Sequence, residues 1–285
     1  MIFPLLNKLK MKIQLPENID IDHPERYILT IRVHPEQFSF SLYSPVDDAS
    51  YFYFPIEKEK QSSAFVSFQE AFFDNEFLSL SFRKIYIINY TPVFTYVPSL
   101  IFEEKDKKEY FKFLFKDKPD KIIHHELQVP EITILHDIRH GIYEFFQRSF
   151  VSGQIIHHTA PLIAYFRDRT PAMNRNKVVV NLQSNEMDVL CFSHNEFLLG
   201  NHFNCQQMED AVYYILFIWK QLKFDQLKDF VYITGDVISK KKLMEQLREY
   251  LHNIIPANIT PEAHFSQIDT RMIPFEIACL SLCEL

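Results

Sequence analysis

The order in which strands and helices are expected along the chain is the feature that most constrains its fold. Short alternating segments at 26–33, 38–43 and 51–56, separated by Pro- and Asp-containing turns, predict three strands. Three Phe at turn spacing predict a helix from about residue 62, and the apolar run at 84–90 predicts a further strand. The same order returns later in the chain. Its predicted elements are strands at 177–182, 187–193 and 197–203, a helix at 206–224, a strand at 230–233 and a helix at 240–252.

This repeated β-β-β-α-β-α order predicts two similar α/β halves rather than one continuous sheet. The first three strands of each half are expected to form antiparallel hairpins, whereas strands reached through a helix can pair in parallel. Mixed sheets flanked by helices follow. We predict a first half at residues 22–170, interrupted by an inserted segment around 94–135, and a second half at 171–285. The insert contains a charged helix at 99–115 and strands at 121–129 and 132–135. It is followed by a helix at 136–150, a strand at 153–158 and a helix at 162–167.

Composition excludes several classes of protein. Only 4 of the 285 residues are Gly, and neither G-x-G-x-x-G nor G-x-x-x-x-G-K-[ST] occurs, which argues against Rossmann and P-loop nucleotide sites. The net charge of −7 argues against a nucleic-acid partner. The longest apolar run, 211–219, is too short for a transmembrane helix, and no signal peptide is recognisable, so a cytoplasmic location is expected.

Three segments carry a resemblance to a known family. They are F-T-Y-V-P at 94–98, I-I-H-H at 155–158, and G-N-H-F-N at 200–204 leading into M-E-D-A-V-Y-Y at 208–214. With the element order, they resemble a family of uncharacterised bacterial proteins with an actin-like ATPase (RNase H-like) fold. That family is distantly similar to actin-like assembly proteins of type IV pilus and type II secretion systems. The resemblance extends from about Tyr27 over nearly the whole chain, and it implies two RNase H-like halves with a nucleotide cleft.

In active members of the superfamily, turns in both halves grip the phosphates and hold hydrated Mg²⁺ through Asp, and a later Gly-rich turn packs on the adenosine. Here the first turn, 34–37, has neither Asp nor Gly, and the second has a neutral Asn181 at the carboxylate position. The third turn, at 234–236, keeps one glycine, Gly235. Set against the family pattern, these departures imply degenerate nucleotide-binding loops and severely reduced ATP hydrolysis. The residues implied for a nucleotide cleft are Glu36, Gln37, Asn181, Ser184, Asn185, Thr234 and Gly235.

Histidines and cysteines suggest rival sites. His136-Asp137-Ile138-Arg139-His140 resembles the H-E-x-x-H zinc motif. Against it, the acid is Asp rather than Glu, no third ligand is evident, and a helix is expected to begin at this point. The pairs at 124–125 and 157–158 lie on predicted strands, where neighbours face opposite sides, so we expect one His packed and one solvated in each pair. Cys279 and Cys283 are one helical turn apart and could share a metal, although buried reduced thiols are the simpler expectation.

The leading hypothesis is a non-catalytic actin-like scaffold that binds another protein, with neither a catalytic residue nor a metal ligand assigned and no cofactor predicted. The alternative is an ATP- or ADP-binding protein, with or without Mg²⁺, that hydrolyses weakly or not at all. A third hypothesis is a zinc hydrolase at His136 and His140. The charged helix at 99–115 is a candidate docking surface, and the sequence determines neither the partner nor the oligomeric state.

Overall fold

The structure is a computed structural model that describes residues 11–47, 50–58, 62–116, 118–168, 175–183, 185–258 and 273–283. Its first elements are β1 (Ile28–Val33), β2 (Phe38–Tyr43), β3 (Tyr51–Ile56), α1 (Ala64–Asp74), β4 (Lys84–Asn89), β5 (Phe94–Pro98), α2 (Lys107–Leu114), β6 (Lys121–Leu127) and β7 (Ile132–Ile138). They are followed by α3 (His140–Ser149), β8 (Gly153–His157), α4 (Thr159–Asp168), β9 (Lys177–Leu182), β10 (Glu186–Ser193), β11 (Glu196–Asn204), α5 (Met208–Gln221), β12 (Phe230–Gly235), α6 (Val237–Leu247), β13 (Asn253–Pro256) and α7 (Phe275–Leu282).

The two five-stranded sheets have the same topology, with strand orders β3-β2-β1-β4-β8 and β11-β10-β9-β12-β13. In the first sheet, β1 pairs antiparallel with β2 and parallel with β4. In the second, β9 pairs antiparallel with β10 and parallel with β12. The expected mixed α/β sheets are therefore confirmed. A third sheet, β5-β7-β6, is formed by the insert.

The described residues divide into two compact units, one with residues 11–90 and 140–155 and the other with residues 91–139, 156–258 and 273–283. Aromatic packing dominates the first unit. Phe68 of α1 stacks on Phe38 of β2 at 5.0 Å between ring centroids, and it lies 5.7 Å from Phe146 of α3. Ser63 caps α1 by accepting a hydrogen bond from the Val66 N–H at 3.2 Å. The spaced Phe of the sequence thus form the buried face of α1.

The second unit contains the core between the second sheet and its helices. Helix α5 buries Ala211, Ile215, Ile218 and Trp219. Its N-terminus begins at Met208 and is capped by Gln207 and Asp210, since the Gln207 N–H donates to the Asp210 carboxylate at 3.0 Å.

The insert differs from its prediction at both ends. The helix expected at 99–115 is limited to α2, because residues 99–101 and 104–106 form separate 3-10 turns. The helix expected from His136 begins at His140 instead, because 136–138 complete β7 and pair with β5 and β6. Strand β13 was not predicted, since it is only four residues long. In the described part of the chain, no helix is long and apolar enough to cross a membrane.

Gly235 is required where β12 ends against β9. Its φ is +102°, and a Cβ there would lie 1.8 Å from the Leu182 carbonyl oxygen. We therefore expect Gly235→Ala to lower the free energy of unfolding by about 2–4 kcal/mol through backbone strain and displacement. A Cβ added at Gly141, in α3, would meet no atom within 4 Å. Gly141→Ala is the matched control and should leave stability unchanged or raise it by up to about 1 kcal/mol. Urea unfolding of the two variants measures the difference, and equal values would contradict the steric explanation.

Candidate functional site

The β9–β10 hairpin, called the second hairpin below, and the end of β12 carry the residues that the resemblance implied for a nucleotide cleft in the second half. In the parallel register Asn181 lies opposite Thr234, and Leu182 lies opposite Gly235. Asn181 and Thr234 are buried. The structure therefore brings three of the residues implied for a nucleotide cleft, Asn181, Thr234 and Gly235, to one end of the second sheet.

The other implied residues are placed differently. Asn185 is exposed, and its carbonyl accepts a hydrogen bond from the Cys205 N–H at 2.7 Å. Ser184 lies outside the described residues. Glu36 and Gln37 are exposed on the β1–β2 turn of the first unit, where the Glu36 N–H donates to His34 Nδ1 at 3.2 Å.

Asn181 does not point toward solvent, because its side chain is bound to a buried carboxylate on the neighbouring strand. Asn181 Nδ2 donates to Asp188 Oδ2 at 3.1 Å. His158 Nε2 contacts the same oxygen at 2.9 Å, and His202 Nδ1 contacts Asp188 Oδ1 at 3.0 Å. Because an ionised carboxylate only accepts hydrogen bonds, the two imidazoles act as donors. Asp188 and His158 are fully buried. These four residues are called the Asp188 network below.

The network fixes the charge of its members. Burial favours the neutral form of Asp188, but the charge of His158 and the hydrogen bonds from His158 and His202 outweigh it and hold the pKa of Asp188 below its usual range. Burial would also lower the pKa of His202. Its hydrogen bond to Asp188 and its charge interactions with Asp188 and Glu186 outweigh that effect and raise the pKa of His202 to about 9. His202 Nε2 lies 3.3 Å from Glu186 Oε2. The network therefore contains a buried anion held by an imidazolium.

These residues do not fit a Mg²⁺ ion. Asp188 Oδ2 accepts from both His158 and Asn181, Asp188 Oδ1 accepts from His202, and the amide of Asn181 is neutral. Mg²⁺ requires hard anionic oxygen in near-octahedral geometry, and neighbouring imidazolium opposes it. Among the residues that the structure describes, no group of three or more His, Cys, Asp or Glu side chains is arranged to hold a metal ion.

The sequence reasoning missed Asp188, His158 and His202. An available signal was Asp188 itself, a single acid in the otherwise apolar strand M-D-V-L-C-F-S, which needs a buried partner. The expectation of one packed and one solvated His at 157–158 is wrong, since both are fully buried. Strand alternation does not apply there, because β8 ends at His157 and α4 begins at Thr159.

The structure also places the residues of the zinc motif and of the cysteine pair. His136 is buried in β7, and His140 is exposed at the first position of α3, so the helical spacing needed for a zinc motif is absent. This contradicts the zinc-hydrolase hypothesis in its predicted form. The thiol of Cys283 donates to the Cys279 carbonyl at 2.9 Å, and the four cysteines are free thiols.

A cleft of about 410 Å³ lies beside the second hairpin, between the first turns of α5 and α6. Lys242 contributes a cation to it, Glu209 a carboxylate, and Leu182 an apolar wall. The full lining comprises Leu182, Cys205, Gln206, Gln207, Met208, Glu209, Ala211, Ile238, Ser239 and Lys242. None of these positions was predicted as a site residue.

Comparison with solved structures shows that the chain has an actin-like ATPase fold. A protein from Bacteroides thetaiotaomicron, described as having an actin-like ATPase fold and unknown function, superposes with a TM-score of 0.80. It is 27% identical, and the alignment covers 93% of this chain and 99% of that one. The PilM-PilN type IV pilus biogenesis complex is more distant, with a TM-score of 0.58, 12% identity, and coverage of 91% and 98%.

The chain belongs to the DUF3822 family of proteins of unknown function, whose family model matches residues 16–254. The family resemblance and the fold class expected from the sequence are therefore confirmed. None of the curated proteins matches the chain in sequence.

The elevated pKa of His202 predicts that its contribution to stability depends on pH. Below about pH 6.5 this imidazole is protonated in both the folded and the unfolded chain. Between 6.5 and about 9 only the folded form holds the proton, so the stabilisation is lost as pH rises through that window. The loss is limited to about 1.4 kcal/mol per pH unit.

Urea unfolding between pH 6.5 and 9.5 measures this loss as the difference between wild type and His202→Gln. We expect the difference to shrink by about 2–3 kcal/mol over the range. His252→Gln is the matched control, because His252 is exposed and should give a constant difference. A constant difference for His202→Gln as well would contradict the imidazolium assignment.

Proposed function

We propose that this protein is a non-catalytic member of the actin-like fold that binds another protein. The observation that carries the proposal is that, among the described residues, no carboxylate at the second hairpin is available to bind a metal ion. Asn181 occupies the position implied for a metal-binding Asp, and the nearby carboxylate of Asp188 is already bound by two imidazoles and the Asn181 amide. The fold thus keeps the frame of an ATPase without a carboxylate free to hold Mg²⁺ at this hairpin.

The insert supplies a surface for a protein partner. Four apolar side chains on its 3-10 turn and on α2 are exposed, and we call them the insert patch. They are Leu100, Ile101, Phe113 and Leu114, with exposed fractions of 92%, 61%, 89% and 50%. Helix α2 and the 3-10 turn are joined, since the Tyr110 hydroxyl donates to the Ile101 carbonyl at 3.3 Å. Large apolar side chains grouped at the surface are typical of protein docking sites.

The core of the insert is complete without these four side chains. Phe111 of α2 is 1% exposed and packs with Val97 and Leu135, so α2 already has a buried face on the other side. Folding of the insert therefore does not require an apolar side chain at Phe113. The PilM-PilN complex shows by its name that a protein of related fold is bound to another protein, which supports this proposal without identifying a partner here. A cytoplasmic location is part of the proposal and is supported by the free thiols.

A second candidate function is nucleotide binding without hydrolysis. The observation that favours it is the cleft between α5 and α6, which lies beside the residues implied for the nucleotide and contains the Lys242 cation. A ligand that binds only the folded chain raises its melting temperature by mass action.

Thermal melting and phosphate release with ATP, ADP and Mg²⁺ distinguish the two functions. For the wild type we expect no Mg²⁺-dependent hydrolysis and no shift of the melting temperature at millimolar nucleotide. Asn181→Asp restores the carboxylate type but places it against Asp188. It should therefore lower stability by about 2 kcal/mol or more without creating activity. Asn185→Asp, on the exposed part of the same turn, is the control and should melt like the wild type.

Different outcomes select different functions. A shift of several degrees with ATP that disappears in Lys242→Ala would establish the second candidate. Mg²⁺-dependent hydrolysis by the wild type that is lost in a variant of the hairpin would overturn both.

Photo-crosslinking tests the insert patch directly. A photoreactive phenylalanine analogue at position 113 should form one adduct with a defined protein in cells of the native host, and Leu100→Ser in the same chain should reduce that adduct at least several-fold. The same analogue at Leu227, which is 72% exposed in the loop before β12, is the control position. Neither change should alter the melting temperature, because the Phe113 and Leu100 side chains are almost fully exposed. Equal labelling from both positions would contradict a docking role.

A further inference from the structure

Four imidazoles form a continuous buried row in the second unit, and the row is separate from the cleft and from the insert patch. His125 of β6 lies 5.7 Å from His136 of β7, His136 lies 5.2 Å from His157, and His157 lies 4.2 Å from His158, measured between ring centroids. His136, His157 and His158 have no exposed surface, and both ring nitrogens of His125 are buried. We call this row the histidine file. At its far end, His158 enters the Asp188 network.

Hydrogen bonding fixes His157 in its neutral form. His157 Nε2 lies 3.1 Å from the Thr91 carbonyl, so this nitrogen must donate. His157 Nδ1 lies 2.7 Å from Thr159 Oγ1, and Thr159 Oγ1 in turn accepts from the Tyr96 hydroxyl at 2.9 Å. Because that hydroxyl donates into Thr159, the Thr159 proton is directed to Nδ1, which must accept. A proton on Nδ1 would leave the Thr159 hydroxyl without its acceptor.

His125 and His136 also disfavour a charge. Neither ring nitrogen of His125 has a hydrogen-bond partner among the described residues, so an imidazolium there would have two unsatisfied buried N–H groups. Burial lowers the pKa of His125 to about 3, with a smaller effect from the charge of His124. Burial, followed by the charges of neighbouring histidines, lowers the pKa of His136 and of His157 well below the usual range.

The charged and titratable groups around the file offer little compensation. On the insert, the charge of His124 of β6 disfavours a proton on His125 and on His136. The hydrogen bond between His136 and the backbone of Asp137 favours a proton on His136. Tyr96 of β5 is held neutral, because burial raises its pKa. On the second sheet the groups are Asp188 and Glu186 of β10 and His202 of β11. Both oxygens of Asp188 are already bound, and Glu186 pairs with His202, so a proton on His157 has no free counter-ion among them.

The insert is joined to the rest of the second unit at the centre of this file. Phe94 of β5 lies 4.2 Å from the His157 ring, Tyr96 of β5 donates to Thr159, and the Thr91 carbonyl just before β5 accepts from His157. Tyr96 also lies over Gly200 of β11, where a Cβ would approach the Tyr96 ring to 2.6 Å. A charge on His157 therefore acts directly on the contacts that hold β5.

We propose that the histidine file is an acid-sensitive latch: uptake of a proton by His125, His136 or His157 releases β5 and the insert sheet from the β8–α4 junction while the second sheet stays folded. The Asp188 network supplies the fixed side of the latch, since it joins β10 and β11 to His158 through charge-assisted hydrogen bonds. The neutral imidazoles of His125, His136 and His157 lie on the side that separates when one of them takes up a proton.

Hydrogen exchange at pH 7.0 and pH 5.0, corrected for intrinsic exchange rates, tests the latch on the full chain. We expect amides of β5 and β7 to lose at least tenfold more protection than amides of β9 and β10. Loss of equal size in all four strands, or no loss at pH 5.0, would overturn the proposal.

His125→Phe provides the decisive variant, because it removes a titrating ring without removing any hydrogen bond of the described residues. It should move the pH midpoint of the β5 and β7 opening downward by at least half a unit. His252→Gln is the exposed control and should leave the midpoint unchanged. An unchanged midpoint in His125→Phe would contradict the proposal.

Should His125→Phe fold poorly, the nitrogen resonances of the wild-type imidazoles provide a second measurement. At least three histidines should remain neutral until opening begins and then titrate together with it. Ordinary independent titration near pH 6.5 without loss of amide protection would overturn the proposal.

Discussion

The buried carboxylate of Asp188 is the interaction on which the rest of the second unit depends. It receives hydrogen bonds from Asn181 of β9, from His158 at the β8–α4 junction and from His202 of β11, so one side chain joins three strands of a sheet to the residue that precedes α4. An ionised carboxylate without such donors would be too costly to bury. Removing one donor would leave part of that charge uncompensated, which is why His202 and Asn181 are expected to matter for folding.

This interaction also links the fold to the proposed loss of catalysis. Asn181 belongs to the hairpin where a relative that binds Mg²⁺ is expected to present a carboxylate. Here its amide is a hydrogen-bond donor to Asp188, a role that an ionised Asp could not fill. The single Gly kept in the third turn has a structural explanation as well, because Gly235 allows its backbone to approach Leu182 closely. A retained Gly at this turn is therefore not by itself a sign of nucleotide binding.

Prediction from sequence succeeded where local pattern dominates. The alternation of β2 and β3 and the apolar runs of β4 and β9 indicated strand bounds that agree with the structure to within a residue, because period-two alternation and short apolar runs are local signals of a strand. Prediction failed at His136, where an apparent helix start continues β7, because strand pairing inside the insert overrides local preference. Prediction also failed at His158, which is buried like His157. The two residues do not alternate between faces of a sheet, because β8 ends at His157.

The sequence by itself determined the class of fold, the repeated order of elements and the absence of carboxylates from two turns, since all three depend on residue types and their local spacing. Only the tertiary structure decided what replaces those carboxylates. Asp188, His158 and His202 are 14 to 44 positions apart in the chain and become neighbours through strand pairing and the β8–α4 junction. The same packing brings His125 and His136 into line with His157. Whether a histidine is charged or neutral depends on its buried neighbours, and these are set by the packing of distant segments.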